Sequence, residues 1–204
     1  MNENSVIRIL INKYGFSSEK IDKLRLYEDL LLKSNYKYNL IGKSTINDIW
    51  FRHFLDSIQL VNLINFYDNR SIGDLGSGAG FPGMILALYN DNPKFHVKIY
   101  EKSPVKCDFL NEIREKCSIN CDIIEGDLRE YTINQSYLVC RAFKKLEYII
   151  KISREMPKTV RNIIILKGKS AQEEVDKALK EIQFEYRLKK SITDHNSKIA
   201  IVKR

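Results

Sequence analysis

The pattern of hydrophobic positions changes near residue 70 of this 204-residue chain. Before that point, apolar side chains recur every three or four positions over residues 18–33 and again from Ile49 to about residue 65. This spacing predicts two amphipathic helices. The stretch Thr45 to Asp48 matches a capping-box pattern, so we expect the second helix to begin there. The first third of the chain is therefore predicted to be helical.

After residue 70, short apolar runs alternate with helical stretches, a pattern typical of a parallel sheet with helical crossovers. Strands are predicted near residues 71–75, 95–101, 121–125, 136–141, 161–167, 183–190 and 198–203. Helices are predicted near residues 83–89, 104–117, 144–156 and 170–181. The connection 191–197 is too short for a parallel crossover, so the last two strands should form an antiparallel hairpin.

The predicted fold class is therefore α/β, with a seven-stranded, mostly parallel, Rossmann-like sheet that ends in an antiparallel hairpin. We expect two parts, a helical N-terminal extension at residues 1–66 and a Rossmann-like domain at residues 67–204. The sequence contains no internal repeat and no Pro/Gly-rich linker, so the two parts should pack tightly against each other.

The first predicted strand runs into a glycine-rich turn with the sequence Asp74-Leu-Gly-Ser-Gly-Ala-Gly-Phe-Pro-Gly83. Glycine lets the backbone turn sharply out of a strand and approach a nucleoside cofactor closely. The part from Gly78 to Gly83 also satisfies the G-x-G-x-x-G pattern of dinucleotide-binding proteins. The turn alone therefore leaves a nicotinamide-dependent oxidoreductase and a methyltransferase both open.

Two carboxylates favour the methyltransferase. Asp74, at the end of the first strand, would face the pyrophosphate of NAD but would attract the ammonium or sulfonium group of S-adenosylmethionine. Glu101 ends the next strand, at a spacing close to the roughly 20 residues at which Rossmann folds place an acid on the ribose hydroxyls. The residues therefore favour S-adenosylmethionine as the cofactor, with Glu101 as its ribose ligand.

The composition indicates which classes of partner the protein can bind. The chain has 34 basic and 26 acidic residues and a net charge of +8, which favours a polyanion such as nucleic acid over a membrane. Neither a signal-peptide pattern nor a membrane-spanning apolar run is found, so we expect a cytoplasmic protein. The four cysteines form no Cys-x-x-Cys pair and do not cluster with histidines, so we expect reduced thiols and no metal site.

Five motifs in order along the chain resemble a known family. They are Tyr38-Asn39-Leu40, Arg52-His53-x-x-Asp56-Ser57, the glycine turn from Asp74 to Gly83, Arg141-Ala142-Phe143 and Leu166-Lys167-Gly168. They resemble RsmG, the bacterial family of 16S ribosomal RNA guanine-N7 methyltransferases formerly called glucose-inhibited division protein B. The resemblance covers about residues 20–203 and implies a class I methyltransferase fold, S-adenosylmethionine as methyl donor, and 16S rRNA or a small-subunit precursor as substrate.

The resemblance also implies roles for single residues. Leu128 and Arg129 would flank the adenine, although the family often has Ala-Glu or Val-Glu there. The family tends to place an arginine before the final strand, where this chain has Lys198. The predicted cofactor-binding residues are Asp74, Gly76, Gly78, Gly80, Phe81, Glu101, Asp127, Leu128, Arg129 and Arg141.

Guanine N7 has an in-plane lone pair and no proton, so its methylation needs alignment rather than a general base. The fourth strand lacks the Asn/Asp-Pro-Pro-aromatic motif of enzymes that methylate exocyclic amines. Cys140 lacks the preceding proline of a carbon-5 pyrimidine methyltransferase, so we expect a small buried side chain there. Arg141 is the predicted catalytic residue, because a guanidinium can steady the methionine carboxylate or an RNA phosphate while it stays charged.

Two further groups of residues have expected roles. Arg52, His53 and Asp56 lie at helical spacings and should form a hydrogen-bond cluster that supports the cofactor turn, with direct RNA contact as the alternative. The predicted phosphate-binding rim consists of Lys144, Lys145, Lys167 and Lys169. A small-molecule methyltransferase and a non-catalytic RNA-binding protein remain alternatives, and a monomer is expected.

Overall fold

The computed structural model describes residues 1–67 and 70–203. The predicted boundary region between the two parts, residues 66–70, includes residues 68 and 69, which lie outside the described residues. The division at residue 66 therefore stays a prediction.

Two helices open the chain, α1 (Glu3–Tyr14) and α2 (Ser18–Tyr38). Each has an N-terminal cap, because the side chains of Asn2 and Ser17 accept hydrogen bonds from backbone N–H groups three residues later. The hydrophobic pattern predicts neither α1 nor the part of α2 beyond residue 33. The buried positions of α1, Val6, Leu10 and Tyr14, are four residues apart, but the apolar residues Ile7, Ile9 and Ile11 lie between them and obscure the helical period.

The second predicted helix is instead a chain of short, irregular turns. A 3-10 helix (Lys43–Asp48) leads into a π-helix (Trp50–Leu55), a single turn α3 (Asp56–Ile58) and another 3-10 helix (Gln59–Leu63). The predicted capping box at Thr45 is wrong. The Thr45 hydroxyl donates to the carbonyl of Gly42 at 2.8 Å and also contacts His53, so it caps no helix.

The remaining described residues form one seven-stranded sheet with helices on both faces. The strands are β1 (Ser71–Leu75), β2 (His96–Glu101), β3 (Asp122–Glu125), β4 (Tyr137–Arg141), β5 (Asn162–Lys167), β6 (Glu185–Lys190) and β7 (Lys198–Lys203). The helices are α4 (Gly83–Tyr89), α5 (Pro104–Lys116), α6 (Leu146–Glu155) and α7 (Ala171–Glu181), with a 3-10 turn at Leu128–Glu130. The predicted strands and their C-terminal hairpin are confirmed.

The sheet order is β3-β2-β1-β4-β5-β7-β6, with β7 antiparallel to both of its neighbours. The chain runs outward from β1 to β3 on one side and from β4 onward on the other. The strand order therefore reverses between β1 and β4. In open α/β sheets, ligands bind outside the carboxyl ends of the strands at such a point.

Alternation along the strands builds two hydrophobic layers. On β4, Tyr137 and Val139 join one buried cluster, whereas Leu138 and Cys140 join the other. The first cluster also contains apolar residues of α1, α2 and the irregular segment, together with α4 and α5. The second is covered by α6 and α7. The N-terminal helices thus share one core with a face of the sheet.

Candidate functional site

The glycine turn follows β1, and its two sides have different surroundings. Gly78 has a φ of +63°, and a Cβ there would meet nothing within 4 Å. Gly80 has a φ of +96°, and a Cβ there would overlap the hydroxyl of Tyr27 on α2. That hydroxyl donates to the carbonyl of Ala79 at 2.6 Å. The turn is therefore open at Gly78 and closed against the N-terminal extension at Gly80.

Asp74 lies beneath this turn and is fully buried. Its Oδ2 accepts hydrogen bonds from the Ser77 hydroxyl and from the N–H of Gly83, the latter at 2.8 Å. Its Oδ1 is buried without a hydrogen-bond partner. Burial raises the pKa of Asp74 to about 6, although both hydrogen bonds oppose this shift. Asp74 is thus a desolvated acid with one oxygen still free to stabilise a cation.

Glu101 connects the end of β2 to the turn. Its Oε2 accepts a hydrogen bond from the N–H of Gly78 at 2.9 Å, and its Oε1 accepts one from the N–H of Ser103 at 3.0 Å. An ionised carboxylate has about four acceptor positions. Glu101 is therefore held in place by backbone donors and can still accept hydrogen bonds from a ligand.

A cleft of about 720 Å³ opens at this end of the sheet, and we call it the glycine-turn cleft. Its volume lies within the range of small-molecule sites, roughly 300–1,000 Å³. Five of the predicted cofactor residues line it, namely Gly76, Glu101, Asp127, Leu128 and Arg129. The structure therefore brings together residues from the ends of β1, β2 and β3.

The side chains of Asp127 and Arg129 are largely committed to each other. The Arg129 guanidinium donates to both carboxylate oxygens of Asp127, at 2.9 Å and 2.8 Å. This pairing and a backbone hydrogen bond from Arg129 hold the pKa of Asp127 well below its usual range. Because the Arg129 side chain is 79% exposed, the pair lies at the rim of the cleft.

The ring of Phe81 does not line the glycine-turn cleft. It is buried, stacks on Tyr27 with centroids 5.6 Å apart, and lies 4.8 Å from the ring of His53. The ring faces the N-terminal extension because that side of the turn packs on the hydrophobic core. Only the Phe81 backbone remains for a contact with a cofactor.

Arg141 also points towards the N-terminal extension. Its Nη1 donates to the carbonyl of Arg52 at 3.0 Å and lies 3.5 Å from Oδ2 of Asp56. Its Nη2 contacts Nδ1 of His53 at 2.7 Å, and its guanidinium lies 5.0 Å from the Phe81 ring centroid. Arg141 therefore joins the Arg52 carbonyl, His53 and Asp56 into one network. The predicted side-chain cluster is corrected at Arg52, whose guanidinium lies 3.6 Å from the carboxylate of Asp194 instead.

Burial and the charges of this network keep the ring of His53 neutral. Burial lowers its pKa to about 3, and the nearby charges of Arg141 and Arg52 add to this effect, so the ring is neutral at physiological pH. A guanidinium only donates hydrogen bonds, so Nδ1 must accept from Arg141. Nε2 then carries the proton and donates to the Thr45 hydroxyl at 2.9 Å. The hydrogen bonds thus run in one direction from Arg141 to the carbonyl of Gly42.

A second cleft, of about 490 Å³, is lined by the residues of this network, and we call it the Arg141 cleft. Its lining comes from several parts of the chain: residues 40–42, the irregular segment at Thr45, Arg52, His53 and Asp56, Arg141 and Ala142 at the end of β4, residues 166–168 at the end of β5 with Glu174, and part of the 191–198 region. Ala142 lines both clefts, so the two cavities are neighbours at this residue.

Asp56 ties the loop to the N-terminal extension. Its Oδ1 accepts a hydrogen bond from the Thr193 hydroxyl at 2.6 Å and one from Gln59 Nε2 at 2.9 Å. Gln59 in turn accepts from the backbone N–H of Ile192 at 3.0 Å. The sequence analysis missed Gln59 and Thr193 because only tertiary folding brings them together, and Asp56 was the sole signal for this contact.

The predicted phosphate-binding rim is wrong at one of its four lysines. Lys167 is turned inward, with its Nζ 2.7 Å from Oε2 of Glu174 and 2.9 Å from the carbonyl of Lys144. An ion pair in this part-buried place leaves Lys167 little capacity to bind a phosphate. Lys144 and Lys145 line the glycine-turn cleft, and Lys169 is exposed.

Among the described residues, no group of three or more His, Cys, Asp or Glu side chains could hold a metal ion. Over the same residues, no helix has the length and apolar character needed to cross a membrane. All four cysteines are free and buried, and burial raises the pKa of Cys140. This environment matches the expected small core side chain at Cys140 rather than an activated nucleophile.

Comparison with known proteins identifies the family. A family model described as GidB, rRNA small subunit methyltransferase G, matches residues 20–202. The chain belongs to this family. It is 35% identical over 191 residues to the ribosomal RNA small subunit methyltransferase G of Orientia tsutsugamushi (strain Ikeda), a match that covers 93% of each protein. The protein of the same name from Rickettsia akari (strain Hartford) is 36% identical over 185 residues, 90% of this chain and 93% of that protein.

The fold agrees with this family. The structure resembles a SAM-dependent methyltransferase from Aquifex aeolicus with a TM-score of 0.60 and 12% sequence identity, over 83% of this chain and 97% of that one. The predicted family, fold class, enzyme class and cofactor, S-adenosylmethionine, are confirmed. The nicotinamide-dependent and non-catalytic alternatives are thereby removed. The cytoplasmic location, the monomeric state and the roles of single cofactor residues stay predictions.

Proposed function

We propose that this protein methylates N7 of a guanine in small-subunit ribosomal RNA, with the donor in the glycine-turn cleft and the target nucleotide in the Arg141 cleft. The observation that carries this proposal is that Ala142 lines both cavities, beside the reversal of strand order between β1 and β4. Methyl transfer needs the donor and acceptor in line, and two adjoining cavities provide such an arrangement.

The residues of the glycine-turn cleft fit S-adenosylmethionine. The backbone is open at Gly78, so a nucleoside can approach it closely. Glu101 is fixed by two backbone donors and keeps acceptor capacity for the ribose hydroxyls. The unpartnered Oδ1 of Asp74 places negative charge beneath the turn, which favours a cationic ligand. When bound, the cofactor supplies a methyl group activated by its sulfonium.

The loop after β3 would bind the adenine. Gly126, Asp127 and Leu128 line the same cleft as Glu101, and Leu128 is a half-buried apolar side chain that can pack on a base. The Arg129 side chain faces solvent and pairs with Asp127. We therefore assign the adenine contact to Leu128 and to the backbone of this loop, and give Arg129 a supporting role.

We assign Arg141 a positioning role in place of the predicted catalytic contact. Its guanidinium is occupied by the Arg52 carbonyl, His53 and Asp56, so it fixes the wall that the two clefts share. The attacking N7 has no proton to lose, so the reaction requires no general base. Rate acceleration then comes from alignment, which contributes up to about 7–11 kcal/mol in favourable cases.

A direct test uses methyl-labelled S-adenosylmethionine and small ribosomal subunits that lack the modification. We expect label in the rRNA at one guanine, in a form that borohydride and aniline convert to a strand break, because N7 methylation makes the ring labile. Asp74→Asn serves as the matched variant with weakened donor binding. Label that stays out of the RNA, or that resists strand scission, would contradict the proposal.

A further inference from the structure

The hairpin of β6 and β7 places two lysines opposite each other at the end that borders the Arg141 cleft. Lys190 is the register partner of Lys198, and Lys198 lines that cleft. Directly opposite residues of an antiparallel pair lie on one face of the sheet, with Cβ atoms about 4.5–5.5 Å apart. Like charges in this arrangement destabilise a sheet. We call Lys190 and Lys198 the lysine pair.

The other end of the same two strands has the opposite arrangement of charges. There Lys203 has Glu185 as its register partner, and opposite charges at such positions stabilise a sheet. A strand rises about 3.3 Å per residue, so Lys198 and Lys203 are about 17 Å apart. The hairpin therefore matches its charges far from the Arg141 cleft and leaves them unmatched beside it.

The protein itself does not neutralise the lysine pair. In the part of the chain that the structure describes, neither member forms an ion pair or a side-chain hydrogen bond. The described acids that line the cleft have other basic partners: Asp56 contacts Arg141, Glu174 contacts Lys167 and Asp194 contacts Arg52. The two cations are thus left for a ligand.

Protection of a sheet edge does not explain the lysine pair. Edge strands often carry lysines that prevent them from pairing with another sheet, and β6 is an edge strand, so this accounts for Lys190. It does not account for Lys198, because β7 lies between β5 and β6. The side chain of Lys198 is also half-buried. A function that requires both cations explains the pair.

We propose that Lys190 and Lys198 together bind one phosphate of the RNA backbone next to the target guanine. A phosphate beside two ammonium groups offsets their repulsion, and an RNA substrate supplies this negative charge. The inference rests on the proposed function, because it takes the Arg141 cleft as the place of the target nucleotide. The unbound hairpin is then less stable than a charge-matched one, and RNA binding compensates for this difference.

The test reverses one charge at each end of the hairpin. Lys190→Glu and Lys203→Glu change the net charge equally, and both lysines are exposed. Lys190→Glu places an acid opposite Lys198, so the melting temperature should rise by about 1–3 °C. Lys203→Glu places two acids opposite each other, so its melting temperature should fall by a similar amount.

RNA affinity should respond at one end of the hairpin alone. Binding of a fluorescent single-stranded oligoribonucleotide is measured at several salt concentrations in the presence of S-adenosylhomocysteine. Lys190→Glu should bind about tenfold more weakly, and the slope of log affinity against log salt concentration should become shallower by at least about 0.7, because one phosphate contact is lost. Lys203→Glu should bind within about twofold of the wild type.

Conservative variants test whether both cations take part. Lys190→Arg keeps the charge and should retain the affinity and the salt dependence of the wild type. Lys190→Gln and Lys198→Gln each remove one cation and should weaken RNA binding to a similar extent. A loss at only one of the two lysines would overturn the shared phosphate site.

A gain in stability together with a loss of RNA affinity is the result that a merely structural pair would not give. Equal losses of affinity in Lys190→Glu and Lys203→Glu would reduce the effect to net charge and overturn the proposal. Unchanged RNA binding by Lys190→Glu would overturn it as well.

Methylation assays separate this inference from the proposed function. If the wild type labels small-subunit rRNA and Lys190→Glu has the same KM for it, the lysine pair does not bind the substrate and the function stands. If the wild type labels no rRNA, while Lys190→Glu loses oligoribonucleotide affinity and Lys203→Glu does not, the function is wrong and the lysine pair still binds phosphate.

Discussion

The glycine-turn cleft and the Arg141 cleft adjoin each other but are built in different ways. The first is formed at the ends of three neighbouring parallel strands, and its key contacts use backbone groups, such as the N–H of Gly78 on Glu101. The second is assembled from residues 40–42, the irregular segment, the ends of β4 and β5 and the β6–β7 loop, which are joined by side chains such as Asp56 and Arg141. The donor site is thus encoded locally, whereas the acceptor site depends on tertiary packing.

The largest expected effect is a difference in stability between substitutions at two glycines of the same turn. Gly80→Ala places a methyl group on the Tyr27 hydroxyl at a positive φ, so we expect it to lower the free energy of unfolding by about 3–5 kcal/mol. Gly78→Ala has the same kind of backbone strain but open space, so the expected loss is about 1–2 kcal/mol. Urea denaturation of both variants checks the difference. Equal losses would mean that the extension does not brace the turn.

Arg141→Ala tests whether the second cleft depends on its network. It leaves the Arg52 carbonyl and Asp56 without their buried partner, so we expect a loss of about 2–4 kcal/mol in the free energy of unfolding. KM for RNA should rise at least about tenfold, while Kd for S-adenosylmethionine changes by less than about threefold. The buried contacts of Arg141 thus add a stability cost to the expected loss of activity.

Arg129→Ala provides the matched control for this substitution. Arg129 is an exposed arginine on the rim of the other cleft, and surface pairs contribute little to stability. We expect no measurable change in its melting temperature. If Arg129→Ala and Arg141→Ala behaved alike, the distinction between the two clefts would be lost.

Protonation of Asp74 should make donor binding in the glycine-turn cleft depend on pH. Its pKa of about 6 is raised by burial, so the carboxyl is ionised at pH 7.5 and mostly protonated at pH 5. A cationic donor prefers the ionised form, so its affinity should fall about tenfold between these pH values. Asp74→Asn should bind the donor weakly at both. Calorimetric titration with S-adenosylmethionine at both pH values measures the affinity. If Asp74→Asn kept the pH dependence of the wild type, Asp74 would not be its source.

The raised pKa of Asp74 affects the stability of the fold in the opposite direction to donor binding. The folded-state pKa of Asp74 lies above its usual value of 3.8, so protonation favours the folded state and this group stabilises it as the pH falls through 6. The ionised form therefore costs stability at pH 7.5. Asp74→Asn should raise the melting temperature, or leave it unchanged, while it weakens donor binding. If the variant lost both thermal stability and donor affinity, Asp74 would have a merely structural role.

The smallest expected effect lies at the far end of the Arg141 network. Thr45→Val removes the hydroxyl that accepts from His53 and donates to Gly42. Because His53 is buried and neutral, the loss should cost about 1 kcal/mol and raise KM for RNA severalfold. Thr45→Ser retains the hydroxyl and should behave like the wild type. A loss of donor affinity in Thr45→Val would break the separation of the clefts.

The same contrast explains what could be predicted from the sequence. The strands are short, buried apolar runs whose period differs from that of the helices, and the glycines and acids of the turn lie next to them in sequence. Residues 43–63 could not be predicted, because their 3-10 and π turns are determined by tertiary packing. Trp50 packs on Phe54, Phe54 and His53 pack on Phe81, and Arg141 contacts His53. Nor could the contact of Asp56 with Thr193, since nothing in either segment specifies its partner.

The most direct test of the account is a crystal structure of the complex with S-adenosylhomocysteine. We expect the ribose hydroxyls on Glu101, the adenine beside Leu128 and the sulfur atom facing Ala142, where the Arg141 cleft begins. A ligand whose ribose lies away from Glu101, or whose sulfur points away from Ala142, would contradict the assignment of the two clefts.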